Sequence, residues 1–415
     1  MRQQGSALLP RVMPVRTTAA ASAHPLVRKG ITRRPKQVGA RYARGMRIGY
    51  ATGYWKQGPP PGALRAIRTA ERLGYESVWT AEAYGSDAFT PLAWWGSRTK
   101  RVKLGTGIAQ LSARTPTATA MAALTLDHLS GGRMILGLGA SGPQVVEGWY
   151  GQPFPKPLAR TREYVAIVRE VLAREHPVTA PGPHYPLPYV PSTTGGPDAT
   201  GLGKALRSTV HPLRADLPIY LAAEGPKNVA LAAEIADGWL PFLFSPRANA
   251  EFAGYLDEGF ARRDPALRPR EAFEVAVQLA VIPHPDVEAA ADLVRPMIAL
   301  YVGGMGAKGA NFHRNVLDRL GYAEACDRIQ ELYLAGDRKA AIAAVPTALV
   351  EEVALIGPPE KIRDELAAWE ESVVTTMLVQ GPAFALRAIR DVVTGTGSLA
   401  RARLAARLFA RSLRT

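Results

Sequence analysis

The chain has 415 residues, 47% of them hydrophobic and 21% charged, ordinary proportions for a soluble protein with room for a sizeable core. No run of about 18 apolar residues occurs, which argues against a membrane-spanning helix. Cys326 is the only cysteine, so an internal disulfide and a cysteine-based metal cluster are both excluded. The net charge of +15 suggests a nucleic-acid or membrane partner until its distribution is read. Residues 1–45 contribute +10 and residues 392–415 contribute +5, neither with an acidic residue, and 46–391 is neutral. The basicity belongs to the two ends, with no nucleic-acid-binding face implied.

Residues 1–45 lack hydrophobic periodicity and read as a disordered basic leader. Their Arg-rich, acid-free composition also suits an organellar transit peptide, and Met46 would be the natural start if the upstream stretch is a misassigned beginning. From Met46 the chain alternates short β-rich runs with helical patterns. Strands are predicted at 46–51, 76–80, 102–109, 133–138, 218–222, 238–243, 273–282 and 374–379. Helices are predicted at 61–73, 115–129, 160–174 and 226–236. Several strands are apolar throughout, as parallel strands covered on both faces should be. Eight such alternations predict an α/β protein, a (β/α)8 TIM barrel over 46–391 with insertions at 175–217 and 283–373; a doubly wound sheet is the alternative. The 175–217 segment is rich in Pro and Gly, whereas 283–373 reads as mostly helical. Excursions leaving the C-terminal ends of barrel strands make natural lids or pocket walls. The tail at 392–415 places Arg403, Arg407 and Arg411 beside Leu404 and Leu408, an amphipathic, solvated terminal helix.

In a barrel, functional residues follow the strands. Thr80, Glu82 and Tyr84 follow the second; the carboxylate could move a proton or cap the next helix. "AAEGPKN" follows the fifth strand. Gly225 permits close backbone approach, Pro226 suits a first helical turn, and Lys227 adds a positive charge to a helix N-terminus suited to anions; an ordinary strand–helix turn is the alternative. "GLGASG" after the fourth strand departs from the dinucleotide fingerprint, because no acidic residue closes a following strand. No zinc-protease, nucleophile-elbow or Walker A motif occurs, and the seven histidines show no metal-ligand spacing. His128, at the end of a helix, reads as structural.

Read in order, "MRIGYATGYW", "LGYESVWTAEAYGSDAFTPLAWWGSRTKRVKLGTGIAQLSARTPTATAMAALTLDHLSGGRMILGLGASGPQ", "PIYLAAEGPKNVALAAEIADGW" and "LIGPPEKIRDEL" resemble the bacterial luciferase-like family, and within it the oxidoreductases that use the deazaflavin coenzyme F420. The resemblance covers nearly all of 46–391. It implies a non-prolyl cis peptide at Gly107–Ile108 behind the cofactor ring, and Ser141, Gly142 and Gln144 lining the cofactor. It implies a phosphate-binding turn at Glu224, Gly225, Pro226, Lys227 and Asn228, with Thr80 also at the cofactor. Glu82 or Tyr84 would donate or accept the proton. Trp149 and Tyr150 would wall the substrate, with Lys308 beside it. Lys204, Arg207, Arg214 or Lys308 would meet the coenzyme's acidic tail. Glu82-Ala83 stands where sugar-phosphate dehydrogenases of the family carry an acid followed by His, which argues against glucose-6-phosphate oxidation.

The implied activity is hydride exchange between coenzyme F420 and a small carbonyl, enone or alcohol, by a cytoplasmic homodimer with no metal. The alternatives are an FMN-dependent monooxygenase of the same fold and a non-catalytic ligand-binding member.

Overall fold

The computed structural model describes residues 46–189, 198–305, 311–396 and 398–412. Ten strands form in chain order. They are β1 (Arg47–Ala51), β2 (Ser77–Thr80), β3 (Lys103–Thr106), β4 (Ala109–Gln110), β5 (Met134–Gly139), β6 (Ile219–Ala222), β7 (Gly238–Leu240), β8 (Glu274–Pro283), β9 (Ala354–Gly357) and β10 (Thr376–Val379). All pairings between them are parallel, and β10 bonds to both β1 and β8, which closes an eight-stranded barrel. β4 continues β3 beyond Gly107–Ile108, whose peptide is cis, and pairs with β5. The predicted strands are all present and the doubly wound alternative is excluded by closure.

Helices cover the barrel for reasons visible in their ends. In Pro116–Ser130 the Thr115 hydroxyl caps the first turn by accepting from Ala118 N–H, a proline takes the first helical position, and Gly131 ends the helix at φ 68°. Inside the barrel Ala51, Trp79, Ile135, Tyr220, Leu240, Ala276 and Leu378 form one apolar cluster. Trp79 and Tyr220 lie 5.9 Å apart across it. Such bulk is admitted because Gly105 has no side chain: a Cβ there would stand 2.4 Å from the Trp79 ring.

The lower end, where strands begin, is fastened by ion pairs. Arg47 grips both oxygens of Glu274, and Asp237 accepts from Arg169 at 3.1 Å and from Ile219 N–H at 3.0 Å. Arg214 belongs here too. Its guanidinium bonds Asp127 at 2.8 and 3.1 Å, and Asp127 also accepts from Met134 N–H at the start of β5. It is therefore a lower-end fastener, not a partner for an acidic tail at the mouth. His128 is structural as expected, its ring bonded to His211 O at 2.7 Å.

The two insertions differ in where they leave the barrel. Residues 175–217 leave from the lower end, after the helix Pro157–Ala173, with Ala180 bridged to Leu187 and Val178 to Leu206. They climb that helix far enough for Tyr185 to pack edge-on against Tyr164 at 5.4 Å and beneath the Arg160 guanidinium. Residues 283–373 leave from the upper end of β8 and build a second core around Ile298, Val302, Leu317, Cys326, Ile329, Leu349 and Ile356. The described residues of this segment are mostly helical, and Ala354–Gly357 adds one short strand, β9, that extends the far end of β8. Burial pushes the Cys326 thiol up to about 12. The C-terminal helix Leu399–Ser412 turns Ala402 and Ala406 inward and exposes Leu404 and Leu408, while Arg403 pairs with Glu360. Among the described residues no helix is long and apolar enough to cross a membrane.

Candidate active site at the barrel mouth

The loops that follow the strands fall into two groups. The first joins the ends of β2, β4 and β5. Glu82 is 4% exposed and its carboxylate is fully engaged. Oε2 accepts from Gln110 N–H at 2.8 Å and from Arg114 at 2.9 Å, and Oε1 accepts from Arg114 at 2.8 Å. The Glu82 backbone N–H donates to Ile108 O at 3.1 Å, and the Tyr150 hydroxyl donates to Ala83 O at 3.0 Å. Thr80 is 3% exposed and its hydroxyl donates to Ala88 O at 2.6 Å.

In this network Glu82 braces the loops with both carboxylate oxygens engaged, and the Thr80 hydroxyl proton is spent within the chain. Tyr150 is half-buried and tied down, whereas Trp149, 64% exposed, is free to meet a ligand. Ile108 is half-buried and touches the place where a Gly139 side chain would stand, with Ala222 next to it. The ends of β4, β5 and β6 are thus adjacent, with Gly139 buried against the Ile108 side chain. Ser141 has φ 59°, a left-handed conformation that costs a non-glycine residue of order 1–3 kcal/mol and so marks a constrained loop. Gly142 is half-buried and Gln144 exposed beside it.

The second group joins the ends of β1, β6 and β7 to the 283–373 insertion. Glu224 follows β6, and its Oε1 lies 2.7 Å from Nδ1 of His313, in the helix Phe312–Leu317. An ionised carboxylate only accepts, so Nδ1 carries the proton of this bond. The imidazole stands edge-on to Tyr301 at 4.7 Å and to Phe242 at 5.6 Å, which fixes its plane. Tyr301 donates to the Tyr54 hydroxyl at 3.3 Å. Burial, then Tyr54, then Glu224 and Tyr84, push the Tyr301 hydroxyl well above the ordinary tyrosine value. Tyr84, 54% exposed, therefore borders this cluster. Glu224 Oε2 is buried and has no partner among the described residues. An unmet buried acceptor of this kind costs about 1–3 kcal/mol, more when charged, unless a ligand supplies a donor.

The predicted anion turn lies next to Glu224. Gly225 caps the helix Pro226–Ile235 with extended backbone and no side-chain cap, Pro226 and Lys227 are exposed, and Asn228 is half-buried. A Cβ added at Gly225 would meet nothing within 4 Å, so the turn opens outward. An uncapped helix start with a lysine beside it attracts phosphate. The turn is suited to a cofactor's phosphate, and Gly107, Ile108 and Gly139 stand at the neighbouring strand ends. Lys204 and Arg207 are exposed on the 175–217 insertion, and Lys308 lies outside the described residues. No group of three or more His, Cys, Asp or Glu residues able to hold a metal ion occurs among the described residues.

His313 is the residue that sequence reading misses. It lies 89 residues from Glu224, so no local spacing announces the pair.

A closed parallel barrel whose strand C-termini carry an open helix-start turn and a polar cluster is a TIM barrel, the fold whose sites lie at that end. The chain belongs to the luciferase-like monooxygenase family, which residues 42–376 match. A Mycobacterium tuberculosis protein named "Putative coenzyme F420-dependent oxidoreductase" is 56% identical over 81% of this chain and 95% of its own length. The F420-dependent tetrahydromethanopterin reductase of Methanopyrus kandleri superposes with TM-score 0.67 at 23% identity, over 86% of this chain and 99% of the reductase. An F420-dependent secondary alcohol dehydrogenase bound to an F420–acetone adduct superposes with TM-score 0.66 at 18% identity, over 86% of this chain and 100% of the dehydrogenase. These two likenesses show the fold.

Proposed function

We propose that this protein is a coenzyme F420-dependent oxidoreductase acting on a small carbonyl, enone or alcohol. The observation that carries the reading is the open, uncapped Gly225–Lys227 turn at the end of β6, the strand next to β5 in the barrel. The 56% identity to a relative named for the same coenzyme supports it. The deazaflavin would supply the hydride donor and acceptor.

The chain's own residues would do the rest. Gly107 and Ile108 would back the flat ring, with Ser141, Gly142 and Gln144 along its edge. The N–H groups of the 225–228 turn and the Lys227 ammonium would hold its phosphate. Trp149 would cover the substrate and exclude water, which strengthens every polar contact beneath it. Tyr84, at the rim of the polar cluster, would offer its hydroxyl to a substrate oxygen. Glu82 would serve these steps only by bracing the loops.

The test is a hydride-transfer assay with reduced deazaflavin and ketones, aldehydes and enones, followed by return of the oxidised coenzyme's visible absorbance, and with oxidised deazaflavin and secondary alcohols, followed by its loss. Turnover with deazaflavin and none with reduced FMN and oxygen is expected. Oxygen-dependent turnover with FMN alone would make the protein a monooxygenase and sink the proposal.

We also propose a homodimer. Trp94, Met121 and Leu129, at 62%, 61% and 77% exposure on two neighbouring helices, would supply an apolar contact. Sedimentation of a monomer at micromolar concentration would refute it.

A further inference from the structure

The His313–Glu224 pair is the best-built polar device at the mouth, and nothing in the barrel itself requires it. Glu224 follows a barrel strand, while His313 arrives from the insertion, so the pair forms only when the insertion is seated. The imidazole is gripped on three sides, by the carboxylate at 2.7 Å and by the edges of Tyr301 and Phe242. One ring nitrogen is used; Nε2 has no hydrogen-bond partner among the described residues, and the side chain is 25% exposed. The titratable groups around it are Glu224, Tyr301 and Tyr54, with Tyr84 at the rim. Burial and those neighbours keep the Tyr301 phenol protonated. Imidazole is the side chain suited to moving a proton, and a carboxylate on Nδ1 fixes its tautomer and ring orientation.

We propose that His313 exchanges the proton that accompanies hydride transfer, with Glu224 as its positioning residue. The proposal rests on the oxidoreductase reading above. The deazaflavin, when bound, would supply the hydride of carbonyl reduction or take up that of alcohol oxidation. In reduction the carbonyl oxygen, gaining the C=O π pair, would take its proton from His313 Nε2–H, leaving neutral imidazole still bonded to Glu224 through Nδ1–H. In oxidation Nε2 would accept the proton of the alcohol hydroxyl. The unmet Oε2 of Glu224 gives the substrate or cofactor a further acceptor to fill.

The experiment uses the full chain with His313→Asn and Glu224→Gln, each checked for native circular dichroism. Three readouts are taken: deazaflavin affinity by tryptophan quenching, single-turnover hydride transfer, and imidazole 15N chemical shifts of the unloaded protein. His313→Asn should bind deazaflavin within about twofold of wild type and lose hydride transfer about a hundredfold or more, with part of the rate restored by added imidazole. Glu224→Gln should lose about tenfold in kcat at unchanged KM and shift the His313 15N pattern away from a single Nδ1–H tautomer. A His313→Asn protein that transfers hydride within threefold of wild type would overturn the proposal while leaving the cofactor reading intact. Wild-type protein that does not bind deazaflavin would overturn both. An unchanged 15N pattern and rate in Glu224→Gln would remove Glu224 from the assignment.

Discussion

Glu82 and Glu224 are the same residue type at equivalent places, each just beyond the C-terminal end of a barrel strand, and they do opposite things. Glu82 meets a guanidinium and a backbone N–H and has every oxygen satisfied. Glu224 meets one imidazole and keeps a buried oxygen unmet. Position after a strand therefore nominates a residue for function, and its partners decide whether it is structure or chemistry. The satisfied acid belongs to the stability of the mouth. The unsatisfied one holds free energy that a ligand can release.

If that contrast is right, Glu82→Gln has the largest effect on folding. It leaves Arg114, whose side chain is 23% exposed, with only the more distant Asp87 at 3.8 Å as counter-charge, and should lower stability by about 3 kcal/mol, measured by chemical denaturation. A second substitution, Arg114→Met, should return part of that loss, since removing both partners is milder than orphaning one. Lys227→Ala sharpens the other side of the comparison. It should weaken deazaflavin binding about tenfold, equivalent to about 1.4 kcal/mol, with unchanged stability and a reduced dependence of affinity on salt. Tyr150→Phe removes the bond to Ala83 O and should cost about 1 kcal/mol of stability with little change in affinity, by the same two assays. Smallest of all, Glu224→Gln should alter stability by less than about 0.5 kcal/mol, since its charge is only half met in the folded state; a loss as large as that of Glu82→Gln would erase the distinction between the two acids.

Much of this was legible before the structure. The strands announce themselves because runs such as Met134–Leu138 are apolar on both faces, as a covered parallel sheet requires. β9 escapes because its four residues follow directly on the helix Thr347–Val353, leaving no turn signal between them. The Gly225–Lys227 turn is readable since a local glycine–proline–lysine order dictates its geometry. The fate of Glu82 is not readable, because Arg114 lies 32 residues away and its approach depends on loop packing. Arg214 misleads for the same reason: a basic residue in a polar loop looks available until Asp127, 87 residues earlier, is found against it. Local chemistry is written in local sequence, whereas the satisfaction of a charge is a tertiary fact.

The most direct test of the central claim, that the mouth is a deazaflavin site, is a tryptophan-quenching titration of the full chain with coenzyme F420 and with FMN, each oxidised and reduced. The account predicts saturable F420 binding at least tenfold tighter than FMN, weakened by Lys227→Ala. Selective binding of reduced FMN, or F420 binding indifferent to Lys227, would contradict it.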